Sequence, residues 1–289
     1  MVTVKRFIYP KTLPEALEAL AAGRDKARAI AGGTSLIFHK GKSTEALVDI
    51  TRLGLDGIDQ SDGQVEVGGC VRLQKLVDSP LLRAPGLVAL AEAASRAGSR
   101  GVRNAVTLGG SIAGYKRWSD PPIALMALGA AVQVEGPNPR EIALTDLLEK
   151  HPLTHLDPGE LITAVLVDLP AARTGSAFVK LGRTEVDYAL TSAAAQVVLD
   201  DSGCVADVSL ALGAVRHLPT DATDLASELV DDEPTERLLD QVAERITAEV
   251  EPGKDMRVST AYLARVAGVT ARDALALALR RARQEENDA

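Results

Sequence analysis

Cysteine is nearly missing from this 289-residue chain: Cys70 and Cys204 are its whole complement, and an iron–sulfur cluster needs four thiolates. Any electrons that reach the chain from such a cluster come from another polypeptide. Both cysteines lie in β-like apolar stretches, which reads as buried, reduced thiols. Positive charge is the scarcer sign, with 32 Lys and Arg against 40 Asp and Glu and a formal net charge of −8. No basic run compensates locally, so nucleic acid is not an expected partner. Apolar runs stop short of the ~18 residues that a membrane crossing takes, and the amino terminus MVTVKRFIYPK carries no apolar secretory stretch, so the expected location is cytoplasmic. Histidine is sparse too. His151 and His155 are four apart, but Pro152 and Pro158 break the helix that would join them, and His39 and His217 are isolated, so no metal site is expected. No Ser-His-Asp or Cys-His order stands out, and no catalytic side chain is assigned.

What is present is the makeup of an ordinary folded protein, 46% hydrophobic and 25% charged, with length for two or three subdomains. Thr12-Leu13-Pro14-Glu15 has capping-box spacing and predicts a helix over 13–22. Strands are expected at Ala27–Ala31 and Ala46–Ile50, with a short helix over 36–40 between them, a small βαβ subdomain over 1–55. A mixed α/β subdomain over 56–172 follows, with a strand at 65–68, helices at 73–77, 87–97 and 121–129, and strands at 131–135, 141–144 and 160–169. Residues 171–175 read as a linker. The final third, 176–289, reads as three strands (177–181, 188–199 and 205–215) with a tight turn at Asp200–Gly203, then helices at 224–229, 235–250 and 262–283 before a polar tail at 284–289. The fold class is α+β.

Two turns draw attention. Ala31-Gly32-Gly33-Thr34-Ser35-Leu36 and Thr107-Leu108-Gly109-Gly110-Ser111 each set a glycine pair among hydroxyl side chains after a β-like or apolar run. Glycine lets backbone N–H groups close on an anion without Cβ interference, and a nearby hydroxyl adds a donor. A lone Gly-Gly is ordinarily plain punctuation. Two, far apart in sequence, suit the two phosphates of one pyrophosphate.

The motifs AGGTSL and RNAVTLGGSIA resemble those of the flavin-binding medium subunit of molybdenum hydroxylases, the family of carbon monoxide dehydrogenase, quinoline oxidoreductase and xanthine dehydrogenase, and the similarity runs from Arg6-Phe7-Ile8-Tyr9-Pro10 to the helix after Tyr262. The resemblance implies FAD held between two subdomains of a PCMH-type FAD-binding fold, followed by a C-terminal antiparallel sheet with helices, and it implies that both Gly-Gly loops touch the pyrophosphate. It matches Asp120 to an acidic position that holds the FAD ribose hydroxyls; an N-cap ahead of Pro121 is the competing task for the same side chain. Glu160 and Lys180 fall on positions similar to family FAD contacts, against a solvated strand end and a surface lysine. Asp187-Tyr188 resembles the motif whose aromatic packs near the isoalloxazine ring, against plain packing in the sheet. The segment Gly114-Tyr115-Lys116-Arg117-Trp118 departs from the small, acidic stretch of common relatives, as a reshaped flavin mouth or as a variable surface loop.

The implied function is electron transfer. Substrate is oxidised at a molybdopterin centre on a large subunit, electrons cross two [2Fe–2S] clusters on a small subunit, and the FAD of this chain delivers them to NAD, a quinone or O2. The competing expectation is a stand-alone FAD-dependent oxidase or dehydrogenase in which Tyr115–Trp118 walls a substrate pocket.

Overall fold

The Thr12–Glu15 start works as its spacing predicts. In the computed structural model, which describes residues 4–36 and 44–283, helix α1 (Leu13–Gly23) opens with the Thr12 hydroxyl accepting the Glu15 amide at 3.4 Å and Pro14 in its first turn. Glu15 reaches back to the Lys11 amide at 2.8 Å, one residue further out than a strict capping box. Ala16 and Leu20 turn inward to share a small core with Val48, Ile50 and Leu161. That core lines a parallel sheet of β1 (Arg6–Ile8), β2 (Ala27–Ile30) and β3 (Ala46–Asp49), ordered β1-β3-β2. Three residues of β1 are too few for alternation to announce a strand. Of the helix expected over 36–40, residues 37–40 lie outside the described residues, as do His39 and the polar tail.

Packing divides the chain into two units, the first made of 1–75, 100–115 and 130–167 and the second of 76–99, 116–129 and 168–289. The contiguous block expected over 56–172 is thereby shared out. After α2 (Leu73–Asp78), α3 (Val88–Ser95) belongs to the second unit, α4 (Arg100–Arg103) and α5 (Leu108–Ala113) to the first, and α6 (Asp120–Ala127) again to the second. The reason is burial. Every residue of α6 is buried, and a helix apolar on all faces needs cover on all faces, which the sheet of its own unit helps supply.

The first unit also holds a five-stranded sheet of β4 (Ile58–Ser61), β5 (Gln64–Gly68), β6 (Ala131–Glu135), β7 (Arg140–Ala143) and β8 (Leu161–Asp168), ordered β4-β5-β8-β6-β7, with α7 (Leu144–Leu148) after β7. The central strand is buried along Leu161–Val167, as its uninterrupted apolar run requires. Residues 141–144, read as a strand, end one residue early because Leu144 opens α7.

In the second unit, β9 (Thr174–Leu181), β10 (Thr191–Leu199), β11 (Val205–Gly213) and β12 (Thr220–Asp221) form an antiparallel sheet ordered β12-β11-β10-β9, one strand more than expected. The presumed linker already belongs to it, since Thr174 and Gly175 pair with Val198 and Val197. The turn at Asp200–Gly203 is tied by Asp200 Oδ1, which accepts from the Ser202 amide, the Ser202 hydroxyl and the Cys204 amide. Cys204 in that turn is only half-buried, whereas Cys70 is buried and its thiol is pushed up to about 11 by loss of water. After α8 (Thr223–Ala226) and α9 (Glu236–Glu249), α10 (Thr260–Ala282) packs on this sheet, and α9 packs on α10. The inner face of α10 is alanine, at 267, 271, 274, 278 and 282, so its backbone comes so close that a methyl group on Gly175 would overlap the Ala278 carbonyl.

Candidate functional site

The two glycine turns meet within the first unit. A methyl group on Gly32 would overlap the carbonyl oxygen of Ala105, two residues before the second turn, and one on Gly114, just after α5, would sit 3.8 Å from the Ser35 hydroxyl. The first loop therefore lies against the chain just before the second turn and close to the chain just after α5. Gly33 has φ +67°, the left-handed region where a side chain costs about 1–2 kcal/mol. Left-handed residues in a turn help point successive amides to one side. Gly32 and Thr34 are exposed, and among the described residues no protein acceptor takes the amides of Gly32, Gly33 or Thr34.

The second loop differs, since its amides have partners within the protein. The Leu108 amide donates to Val71 O and that of Gly109 to Gly69 O, each at 2.9 Å. The Ser111 amide goes to Thr107 O at 2.9 Å and that of Gly110 to the Thr107 hydroxyl at 3.3 Å, an N-cap for α5. The Ser111 hydroxyl is spent on Thr107 O at 3.0 Å. Thr107, Leu108, Gly109 and Ser111 are buried, and Gly110 is exposed. Gly109 owes its missing side chain to backbone as well, since a methyl there would come 2.9 Å from Gly69 O. Buried N–H groups must be paired, and a turn seated on Gly69 and Val71 pairs them with protein. Ala31 and Leu36 are half-buried, at either end of the first loop.

Asp120 and Lys180, both in the second unit, are brought together. Lys180 Nζ donates to Asp120 Oδ2 at 2.8 Å and to Arg96 O at 2.8 Å. The two side chains are 5% and 2% exposed, so Lys180 is no surface lysine. Nor is Asp120 the helix cap: Ser119 holds that position and Asp120 is the first residue of α6. Burial pushes the Asp120 carboxyl up to about 6, while the Lys180 ammonium pulls the other way. Its Oδ1 is buried with no protein partner among the described residues. A buried acceptor left over in this way suits a hydroxyl that the protein does not supply.

Glu160, in the first unit, is not a solvated strand end. Its Oε1 pairs with Arg140 Nη1, and its Oε2 accepts from Arg140 Nη2 at 3.0 Å and from the Asp157 amide at 2.9 Å. The Arg140 guanidinium holds this carboxyl below its ordinary range. Glu160 thus ties its own turn to β7, and its oxygens are occupied within the unit.

Tyr188 lies outside the sheet, since β10 starts at Thr191, and its side chain is 64% exposed. Its ring packs on Trp118 with centroids 4.9 Å apart at 44°. Here the backbone carbonyls are taken by Arg257, which donates to Tyr188 O at 3.0 Å and to Ala189 O at 2.9 Å. Arg257 is held in turn by Asp255, whose Oδ2 also takes Arg117 Nη2 at 2.6 Å. The spacing Asp255-x-Arg257 was visible in the sequence, but nothing in it pointed to a loop nearly seventy positions away. Tyr115, in the first unit, donates its hydroxyl to Leu148 O at 2.9 Å and tilts on His151. Tyr115, Arg117 and Trp118 are therefore each engaged and half-buried, which is not the behaviour of a loose surface loop.

Comparison with known proteins finds matches over nearly the whole chain. The family model described as the FAD binding domain in molybdopterin dehydrogenase matches residues 3–171, and that of the CO dehydrogenase flavoprotein C-terminal domain matches 176–278. The carbon monoxide dehydrogenase medium chain of Afipia carboxidovorans is 32% identical over 95% of this chain and 96% of its own. The 6-hydroxypseudooxynicotine dehydrogenase complex subunit alpha of Paenarthrobacter nicotinovorans is 31% identical over 96% and 95%. Among solved structures, a chain of carbon monoxide dehydrogenase from Hydrogenophaga pseudoflava superposes with a TM-score of 0.90 at 29% identity, covering 97% of this chain and 99% of that one.

Proposed function

The chain belongs to the family of FAD-binding medium subunits of molybdopterin dehydrogenases, and from that premise we propose that it relays electrons from a small partner subunit bearing two [2Fe–2S] clusters to an external acceptor, NAD, a quinone or O2. A molybdopterin-binding large subunit would oxidise the substrate. The cofactor of this chain is FAD, which when bound supplies the ability to accept and pass on electrons. The residues present fit it. In the first unit, the amides of Gly32, Gly33 and Thr34 lie in a partly exposed loop, have no protein acceptor among the described residues, and would be available to a diphosphate. The second loop braces the first through Ala105 and leaves Gly110 exposed, without a side chain to obstruct a ligand, while the Thr107 hydroxyl keeps its hydrogen to donate. In the second unit, Asp120 Oδ1 is an unpaired acceptor for a ribose hydroxyl, Lys180 fixes the carboxylate that offers it, and Tyr188 presents an aromatic face suited to a flavin ring. Glu160 contributes through the turn it ties to Arg140.

The observation that carries this reading is the contact of Gly32 with Ala105, which joins two turns more than seventy residues apart into one cradle. The test is flavin reduction in the purified chain and in the reconstituted complex. The substrate of the complex should leave the flavin of the lone chain oxidised and reduce it once both partner subunits are present. Direct bleaching of the lone flavoprotein by a small molecule would replace this reading with the stand-alone oxidase.

A further inference from the structure

Tyr188 is an exposed aromatic in a hairpin connection, where a side chain ordinarily samples many orientations at little cost. Here the backbone under it is pinned by an unusual expenditure of charge. Arg257 spends four of its five N–H donors. Nε and one Nη2 hydrogen go to the Asp255 carboxylate at 3.0 and 2.8 Å, and Nη1 and the other Nη2 hydrogen go to the carbonyls of Tyr188 and Ala189. The Arg257 amide closes on Asp255 Oδ1 at 2.8 Å, so the carboxylate is gripped along the fork. Asp255 is itself 3% exposed and shared with Arg117. The Arg117 carbonyl accepts the Ala214 amide at 2.8 Å, and the Gly253 amide donates to Val215 O at 2.8 Å, which root both arms of the cluster at the end of β11. Trp118, the next residue after Arg117, then lies against the Tyr188 ring.

We propose that the Arg117–Asp255–Arg257 cluster is a positioning device that holds the Tyr188 ring, braced by Trp118, in the orientation from which it meets the flavin. The proposal rests on the reading that Tyr188 contacts the flavin ring. It also gives the bulky, basic 116–118 segment a purpose: Arg117 supplies the second cation to Asp255 and Trp118 the rest against which Tyr188 lies. The strands on either side are already joined by their own ladder, from Thr174↔Val198 to Leu181↔Thr191. What the anchor adds is a fixed direction for one side chain.

The full-length chain loaded with FAD tests this, and Trp118, the only tryptophan, reports on the ring pair directly. Three variants are compared: Tyr188→Leu, Arg257→Met and their combination, with Asp255→Asn as a second way of loosening the clamp. Flavin emission should rise on the order of twofold in Tyr188→Leu, as an aromatic contact that quenches the ring is lost. Arg257→Met and Asp255→Asn should reproduce that rise and, as the ring pair loosens, shift Trp118 emission while still binding FAD, and the double variant should add nothing further to the flavin signal. A changed flavin signal in Tyr188→Leu with none in Arg257→Met or Asp255→Asn overturns the clamp and leaves the flavin contact standing. No change in Tyr188→Leu overturns the contact, and the clamp's purpose falls with it. Loss of FAD from both clamp variants would make the cluster a part of the fold and likewise overturn the proposal.

Discussion

At the scale of single residues, the glycines of the first loop separate two physical reasons for having no side chain. Gly32 is barred by the Ala105 carbonyl, whereas Gly33 has only the Ile30 side chain nearby, at 3.4 Å, and pays through its φ. Gly32→Ala should therefore push the two loops apart, destabilise the apo chain by about 1–3 kcal/mol and weaken FAD binding by about tenfold or more. Gly33→Ala should cost about 1–2 kcal/mol through its φ alone, and leave FAD binding the less affected of the two. Thermal unfolding and a flavin titration read both, and the reverse ranking would refute the cradle. Asp120 gives a pH signature. Its folded-state carboxyl, raised to about 6, binds a proton that the unfolded chain has released above 3.8. Stability of the flavin-free chain should fall as pH rises from about 4 to 6 and then level off, and Asp120→Asn should flatten that slope. Denaturant melts across the window decide it. Asp255 has the opposite sign. Arg257 foremost, and Arg117 with it, hold its carboxyl far below the usual range, so its contribution is complete above pH 3.8 and drains away only as pH falls toward the folded value.

At the scale of elements, the fold depends on how closely helices can approach strands. Gly175 in β9 lies under the Ala278 carbonyl and the Ala282 amide of α10, both backbone and neither able to move alone. Gly175→Ala should lever α10 from the sheet and cost about 3 kcal/mol, near the upper end for overpacking, with circular dichroism melts as the measure. Asp255→Ala should cost a similar amount, about 3 kcal/mol, because it strands two half-buried guanidinium groups. Most helices and strands were legible in advance, since amphipathic spacing and caps such as Thr12 act within a few residues. The misread stretches have distant causes. Tyr188 and Ala189 look like the start of β10, but their carbonyls belong to Arg257. Residues 171–175 look like a linker, but two of them pair with Val197 and Val198.

At the scale of the whole molecule, the chain belongs to a family of FAD-binding subunits. Among the described residues no group of three or more His, Cys, Asp or Glu gathers as a metal site, and no helix is long and apolar enough to cross a membrane. Elemental analysis of the purified chain should find flavin without stoichiometric iron or molybdenum, and both metals should appear when partner subunits are co-purified. Stoichiometric iron in the isolated chain would contradict the division of labour proposed for the complex.

Composition and local spacing by themselves determined that electrons from an iron–sulfur cluster must come from outside, where the helices begin, and that two Gly-Gly turns deserved comparison, because each of these depends on counts or on neighbours within a few positions. Which glycine is excluded by backbone, that the amides of the second loop are spent inward, that Asp120 finds Lys180 sixty residues away, and that Arg257 takes the carbonyls of Tyr188 and Ala189 were all decided by tertiary structure. Those outcomes depend on which buried donors and acceptors meet once the chain has packed, and no stretch of sequence contains both partners.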